Sequence, residues 1–130
     1  MSSPTNPYAA EHQSPRGEGD ARPTALQIIR DEDLVNKLDG KVFLATGTSS
    51  GIGVETVRAL HATGAHVFMQ VRDMDKGEVV MKDILATSAG TGKLDILYME
   101  LGSFKSIRAG VAEFLKKSEK LHVLVNNAGK

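Results

Sequence analysis

The sequence predicts an α/β fold, a sheet of parallel strands with helices on both faces. Three observations carry that expectation. Short apolar runs at 41–46, 65–71, 94–99 and 121–125 alternate with longer amphipathic stretches, the pattern of strands buried between helices. The first run breaks into a glycine-rich loop, Thr46-Gly47-Thr48-Ser49-Ser50-Gly51-Ile52-Gly53, and a helical pattern follows at once. The last run ends in a polar turn, Asn126-Asn127-Ala128-Gly129.

In chain order, residues 1–23 hold all four prolines, Pro4, Pro7, Pro15 and Pro23, among Ser, Gly and charged residues. With little to bury, they are expected to form a disordered lead. Residues 24–40 are expected to hold one or two short helices before the main domain. Thr24 is a candidate cap, Leu26, Ile29, Leu34, Val35 and Leu38 supply apolar contacts, and Asp39-Gly40 ends the segment. Residues 41–130 then form the domain proper. The first strand runs from Lys41 to Thr46. Strand, glycine turn and helix is the setting in which such a loop cradles a phosphate. Gly47 permits a sharp turn off the strand, Gly51 leaves room for a pyrophosphate, and Gly53 lets the helix sit close. The first amides of the helix have no partner within it and face an anion. Ser49 and Ser50 add hydroxyl donors.

The first helix of the domain should span about 51–63, with Gly53, Val57, Leu60 and Gly64 on one stripe and Gly64 as its stop. After the second strand, 65–71, comes Arg72. Dinucleotide folds place an acidic side chain near this point to bind the ribose hydroxyls. Here the strand ends in Val71. No carboxylate is present to repel a 2′-phosphate, and Arg72 is a planar, always-charged partner for one. The second helix spans about 74–87, capped by Asp73. The loop Ser88-Ala89-Gly90-Thr91-Gly92-Lys93 is no P-loop, because Thr87 stands where its first glycine is needed and Leu94 follows the lysine. The third strand, 94–99, leads into Glu100-Leu101. Ser103 opens a third helix with Phe104, Ile107, Val111 and Phe114 on one stripe, and its terminal lysines suit a helix C-terminus. The fourth strand, 121–125, delivers Asn126 to Gly129 to the carboxyl end of the sheet, where open α/β folds bind ligands.

Composition narrows the function. Sixteen basic and sixteen acidic residues balance, which gives no electrostatic case for nucleic acid. The absence of cysteine excludes a disulfide framework and a Cys-based metal site, and no metal site is expected. His12, His61, His66 and His122 are scattered and read as structural. Neither a secretory signal nor an apolar run of membrane-spanning length is present, so a cytoplasmic location is expected.

The loop spacing is G-x-x-x-G-x-G. Thr46 to Gly53 resembles the T-G-x-x-x-G-I-G loop of the short-chain dehydrogenase/reductase family, and Asn126-Asn127-Ala128-Gly129 resembles its second mark. The resemblance runs from about Lys37 to Gly129 and looks closest to the retinol-dehydrogenase-like branch. It implies the first half, about four strands in order 3-2-1-4, of a Rossmann-type doubly wound parallel sheet. It also implies hydride transfer between a nicotinamide cofactor and a small-molecule carbonyl or secondary alcohol, with NADP(H) favoured over NAD(H) because of Val71 and Arg72. By the same resemblance, Gly47, Ser49, Ser50, Gly51, Ile52 and Gly53 hold the pyrophosphate. Glu100, where the family usually has Asp, faces the adenine amino group, and Leu101 lines the adenine pocket. Asn126 ties strands together, while Asn127, Ala128 and Gly129 border the ribose.

The family's chemistry needs a serine and a Tyr-x-x-x-Lys pair one helical turn apart, so that the ammonium lowers the phenol pKa. Tyr8 and Tyr98 have His12 and Gly102 four residues on, and no catalytic residue is assigned. Complete members are longer, so the chain is expected to be a truncated cofactor-binding half, inactive alone. A non-catalytic NADP(H)-binding or dimerising module stays open as the alternative. Without a further strand, 121–125 is an exposed apolar edge and a predicted site of self-association.

Overall fold

The computed structural model describes residues 7–129. Four strands form one parallel sheet: β1 (Val42–Ala45), β2 (His66–Val71), β3 (Leu94–Tyr98) and β4 (Val123–Val125). Their spatial order is β3-β2-β1-β4, the 3-2-1-4 arrangement that the sequence implied. The helices are α1 (Ala25–Asp31), α2 (Ile52–Ala62), α3 (Met74–Thr87) and α4 (Phe104–Lys117).

The order follows from handedness. Crossovers between parallel strands are right-handed. The steps β1 to β2 and β2 to β3 move the same way across the sheet, so α2 and α3 share a face. The return from β3 to β4 reverses direction and puts α4 on the other. The core divides accordingly. Phe43, Ala45, Val67 and Met69 pack with Val57 of α2 and Ile84 of α3. Val42, Leu44, Phe68 and Leu97 pack with Phe114 of α4. Alternate side chains of each strand therefore serve opposite faces, and β1, paired on both edges, is buried throughout.

The helix starts are side-chain capped as their sequences suggest: Thr24 accepts from the Gln27 amide, Asp73 from Lys76 and Ser103 from Ser106. The segment between α1 and β1 is stitched to the domain. Asn36, at φ +55°, donates through its side chain to the Ala89 carbonyl (3.0 Å) and accepts from the Thr91 amide (2.9 Å). Gly64, at φ +83°, ends α2, and a Cβ there would lie 2.9 Å from the Asn36 backbone. His61 is buried and bridges Ser88 Oγ (2.7 Å) and the Gly92 carbonyl (2.8 Å), the structural part expected of it.

The expected lead, 1–23, lies outside the described residues over positions 1–6. From there the chain makes a 3₁₀ turn at Ala10–His12. The Tyr8 hydroxyl donates to Asp31 at 2.7 Å, which raises its pKa to about 12. Asp20 accepts from Arg22 and from the Arg16 and Gly17 amides, and these bonds hold its carboxyl well below the usual range.

β4 is shorter than the 121–125 run. Leu121 and His122 lie before the ladder, although the His122 amide donates to the Val42 carbonyl and His122 Nδ1 accepts from the Val42 amide, each at 2.9 Å. As the outer strand β4 is largely exposed, with Leu124 at 50%. Among the described residues, no helix is long and apolar enough to cross a membrane.

Candidate functional site

The carboxyl ends of the strands carry a cleft of about 810 Å³, within the range of small-molecule sites. Its floor is the loop between β1 and α2. Gly47 turns the chain off β1 at φ +67°, and Gly51 turns it into α2 at φ +63°. Each conformation disfavours a side chain.

The loop is held from two directions. From the β4 end, Thr46 Oγ1 accepts from the Asn127 amide (3.1 Å) and the Ala128 amide (3.0 Å), while Asn127 Nδ2 donates to the Gly47 carbonyl (3.1 Å). From β2, Gln70 Oε1 accepts from the Gly47 amide at 2.8 Å. Thr48, fully buried, donates through its hydroxyl to the Gln70 carbonyl at 2.9 Å. Close packing accounts for two of the glycines. A Cβ on Gly47 would sit 2.8 Å from Ala128 Cα, and one on Gly53 would sit 2.1 Å from the Gly47 carbonyl oxygen. A Cβ on Gly51 would meet nothing within 4 Å, because that position faces open space. Ile52 and Gly53 open α2, so their N–H groups have no acceptor within the helix.

Gly47, Ser49, Ser50, Ile52, Gly53, Arg72, Glu100, Leu101, Asn127, Ala128 and Gly129 all line this one cleft. Gly51 lies between lining residues at the loop's turn. Val71 and Arg72 form the wall beside β2. Arg72 is exposed and, among the described residues, has no hydrogen bond or ion pair. Glu100 and Leu101 form the wall beyond β3, where the Glu100 amide donates to Ser106 Oγ at 2.8 Å and fixes the turn into α4.

One residue role moves. Asn126 was expected to tie strands together, yet it is exposed, and the side-chain bond to the β1 end comes from Asn127. Successive side chains alternate sides at the end of a strand, and only Asn127 faces the glycine loop. Gln70 escaped the sequence reading altogether. It is 3% exposed and lines the cleft. Its signal was available: it is a polar residue inside the apolar run HVFMQV, and a buried amide requires partners.

The short chain dehydrogenase family model matches residues 41–130. The chain belongs to the short-chain dehydrogenase/reductase family. Short-chain dehydrogenase/reductase prx1 of Penicillium rubens is 47% identical over 122 residues, covering 94% of this chain and 35% of that protein. Retinol dehydrogenase 11 of Homo sapiens is 44% identical over 93 residues, covering 72% of this chain and 29% of its own length. The resemblance to retinol dehydrogenases is thus present, and the fungal match reaches further into the N-terminal segment. A metagenomic short-chain oxidoreductase, solved in complex with NADP, superposes with a TM-score of 0.65 at 34% identity, covering 72% of this chain and 41% of that one. This short-chain dehydrogenase/reductase chain spans about a third of the length of the curated relatives it matches.

Proposed function

We propose that this chain forms the NADP(H)-binding half of an oxidoreductase that transfers a hydride between the nicotinamide and a small carbonyl or secondary alcohol. The observation that carries the reading is the cleft itself. A glycine loop with one open position, at a helix N-terminus, faces a wall that bears an unpaired arginine and, in Val71, no acid.

The residues present fit a dinucleotide phosphate. Gly51 turns the loop into α2 with open space in front of it. The Ile52 and Gly53 amides and the Ser49 and Ser50 hydroxyls supply donors at the positive end of α2. Arg72 would pair with a 2′-phosphate bidentately. Glu100 would accept from the adenine amino group, Leu101 would cover the base, and Asn127, Ala128 and Gly129 would border the ribose. When bound, the cofactor supplies or accepts the hydride. The part played by these residues is to hold the adenosine end and to orient the rest along the strand ends. NADP is present in several structural neighbours, among them the metagenomic enzyme and an actinorhodin polyketide ketoreductase solved with NADPH, which supports the preference.

Calorimetric titration of this chain with NADPH and NADH tests the reading. NADPH is expected to bind at least about tenfold more tightly, the effect of one charge-assisted contact. Equal affinities would remove the 2′-phosphate assignment, and no binding of either would remove the site. Since neither tyrosine has a lysine four residues on, carbonyl reduction by this chain alone is expected to be undetectable while binding persists.

A further inference from the structure

We infer that Gln70 is a positioning residue that sets the distance between the phosphate loop and the adenine wall, so that the cleft is formed before ligand arrives. The inference rests on the NADP(H) reading of the cleft and adds to it a residue and a role.

Gln70 lies one residue from the end of β2, between β1 and β3. Its side chain spans the carboxyl edge of the sheet. Oε1 accepts from the Gly47 amide at 2.8 Å, and Nε2 donates to the Met99 carbonyl at 2.6 Å. The first contact holds the loop after β1, and the second holds the chain end that leads into Glu100 and Leu101. The Gln70 carbonyl also accepts from the Thr48 hydroxyl and amide, at 2.9 and 3.3 Å. One residue therefore touches both walls with opposite ends of one rigid, planar amide. At 3% exposure it has little water to exchange with, so each of these bonds is expensive to break.

The chemical consequence concerns ligands that reach both walls. NADPH spans the loop with its pyrophosphate and the far wall with its base, so its affinity depends on the spacing between them. A ligand without a pyrophosphate, which does not reach the loop amides, depends on that spacing far less. Preorganisation contributes to affinity by removing the ordering cost from the binding step.

The test compares NADPH with 2′-AMP on wild type and Gln70→Met, by calorimetry below the melting range. 2′-AMP carries the base, ribose and 2′-phosphate but no pyrophosphate, so it meets the base wall, Arg72 and the turn after β4 without reaching the amides of the glycine loop. The expected result is that NADPH weakens about tenfold while 2′-AMP changes by less than about twofold. Equal weakening of both ligands would show a general structural role and overturn the inference, as would no change in either. Should Gln70→Met not fold, amide hydrogen exchange on the wild-type chain decides. The Gly47 amide is expected to be protected like those of β2 before any ligand is added. Exchange at the rate of an open loop overturns the inference. A wild-type chain without NADPH affinity overturns the reading beneath it, and the inference with it, an outcome distinct from unchanged affinity in the variant.

Discussion

Gly53→Ala is the sharpest perturbation of the site. The added Cβ would stand 2.1 Å from the Gly47 carbonyl oxygen and 2.8 Å from Asn127 Nδ2, whereas ordinary contact begins at 3.4 Å. The deficit against the oxygen exceeds 1 Å, and the obstacle is backbone. The first turn of α2 must lift, or Gly47 must move. Moving Gly47 disturbs its bonds to Asn127 and Gln70. Overpacking of this kind costs about 1–3 kcal/mol, and a strained or lost hydrogen bond adds about 1 kcal/mol. A loss of about 2–4 kcal/mol is a large share of a domain stability of about 5–15 kcal/mol. It should lower the melting temperature on the order of 10 °C and abolish measurable NADPH binding, because the displaced amides are those proposed to face the phosphate. The assay is thermal denaturation by circular dichroism with and without NADPH. A variant that melts within about 2 °C of wild type and is still stabilised by NADPH would refute the argument that close packing fixes this position.

Four further outcomes are expected. Arg72→Ala should weaken NADPH by about tenfold to a hundredfold and leave NADH within about twofold, as measured by fluorescence titration; parallel losses would show that Arg72 does not read the 2′-phosphate. Asn127→Asp replaces the donor to the Gly47 carbonyl with an acceptor and should cost about 1–3 kcal/mol, whereas Asn126→Asp, at an exposed position, should stay within about 0.5 kcal/mol; urea titration distinguishes them, and equal losses would return the tie to Asn126. Burial pushes the Asp95 carboxyl up, but the bond from His66 (2.6 Å) and the nearby Lys117 outweigh it, and its pKa is lowered. A lowered carboxyl stabilises the fold above its unfolded pKa, near 4, and that contribution drains as pH falls through the folded value. The melting difference between wild type and Asp95→Asn should therefore shrink below about pH 4, and a difference constant with pH would contradict the assignment. Finally, Leu124→Lys should reduce concentration-dependent self-association in sedimentation velocity by charging the outer strand; a wild-type chain that stays monomeric at all concentrations would dismiss the edge as an interface.

Much of the fold was legible because a parallel sheet leaves a plain record. Strands buried on both faces are mainly apolar, and eight of the ten residues in VFLA and HVFMQV are apolar. The bounds of α3 and the capping residues Asp73 and Ser103 were readable because caps and helical stripes are local chemistry. The rest depended on partners distant in sequence. The regular ladder at β4 starts at Val123, opposite Phe43, because one step earlier the Val42 amide donates to the His122 ring and not to strand backbone. Asn126 and Asn127 are identical in type and adjacent, so choosing between them required knowing which side of the strand end faces Gly47. Asn36 gave no local sign of its role, since its side-chain partners lie in the 88–92 loop, 53 and 55 positions away.

The geometry also changes what the glycine loop is taken to mean. Gly47 lacks a side chain because Ala128 lies against it, and Gly53 because Asn127 and the Gly47 carbonyl do. Two of the three glycines are thus accounted for by the fit between the loop and the turn after β4, joined by a hydrogen bond across 80 positions. The two motifs are one packed object, and their joint occurrence is a packing requirement before it is a binding signature. Of the three loop glycines, Gly51 alone has open space in front of it together with a left-handed φ, a combination that Gly17, Gly19 and Gly40 share elsewhere among the described residues. The left-handed turn into α2 accounts for that combination, as it does at those other turns. The case for an anion site therefore rests on the free amides at the start of α2 and on the unpaired Arg72 across the cleft, more than on the count of glycines.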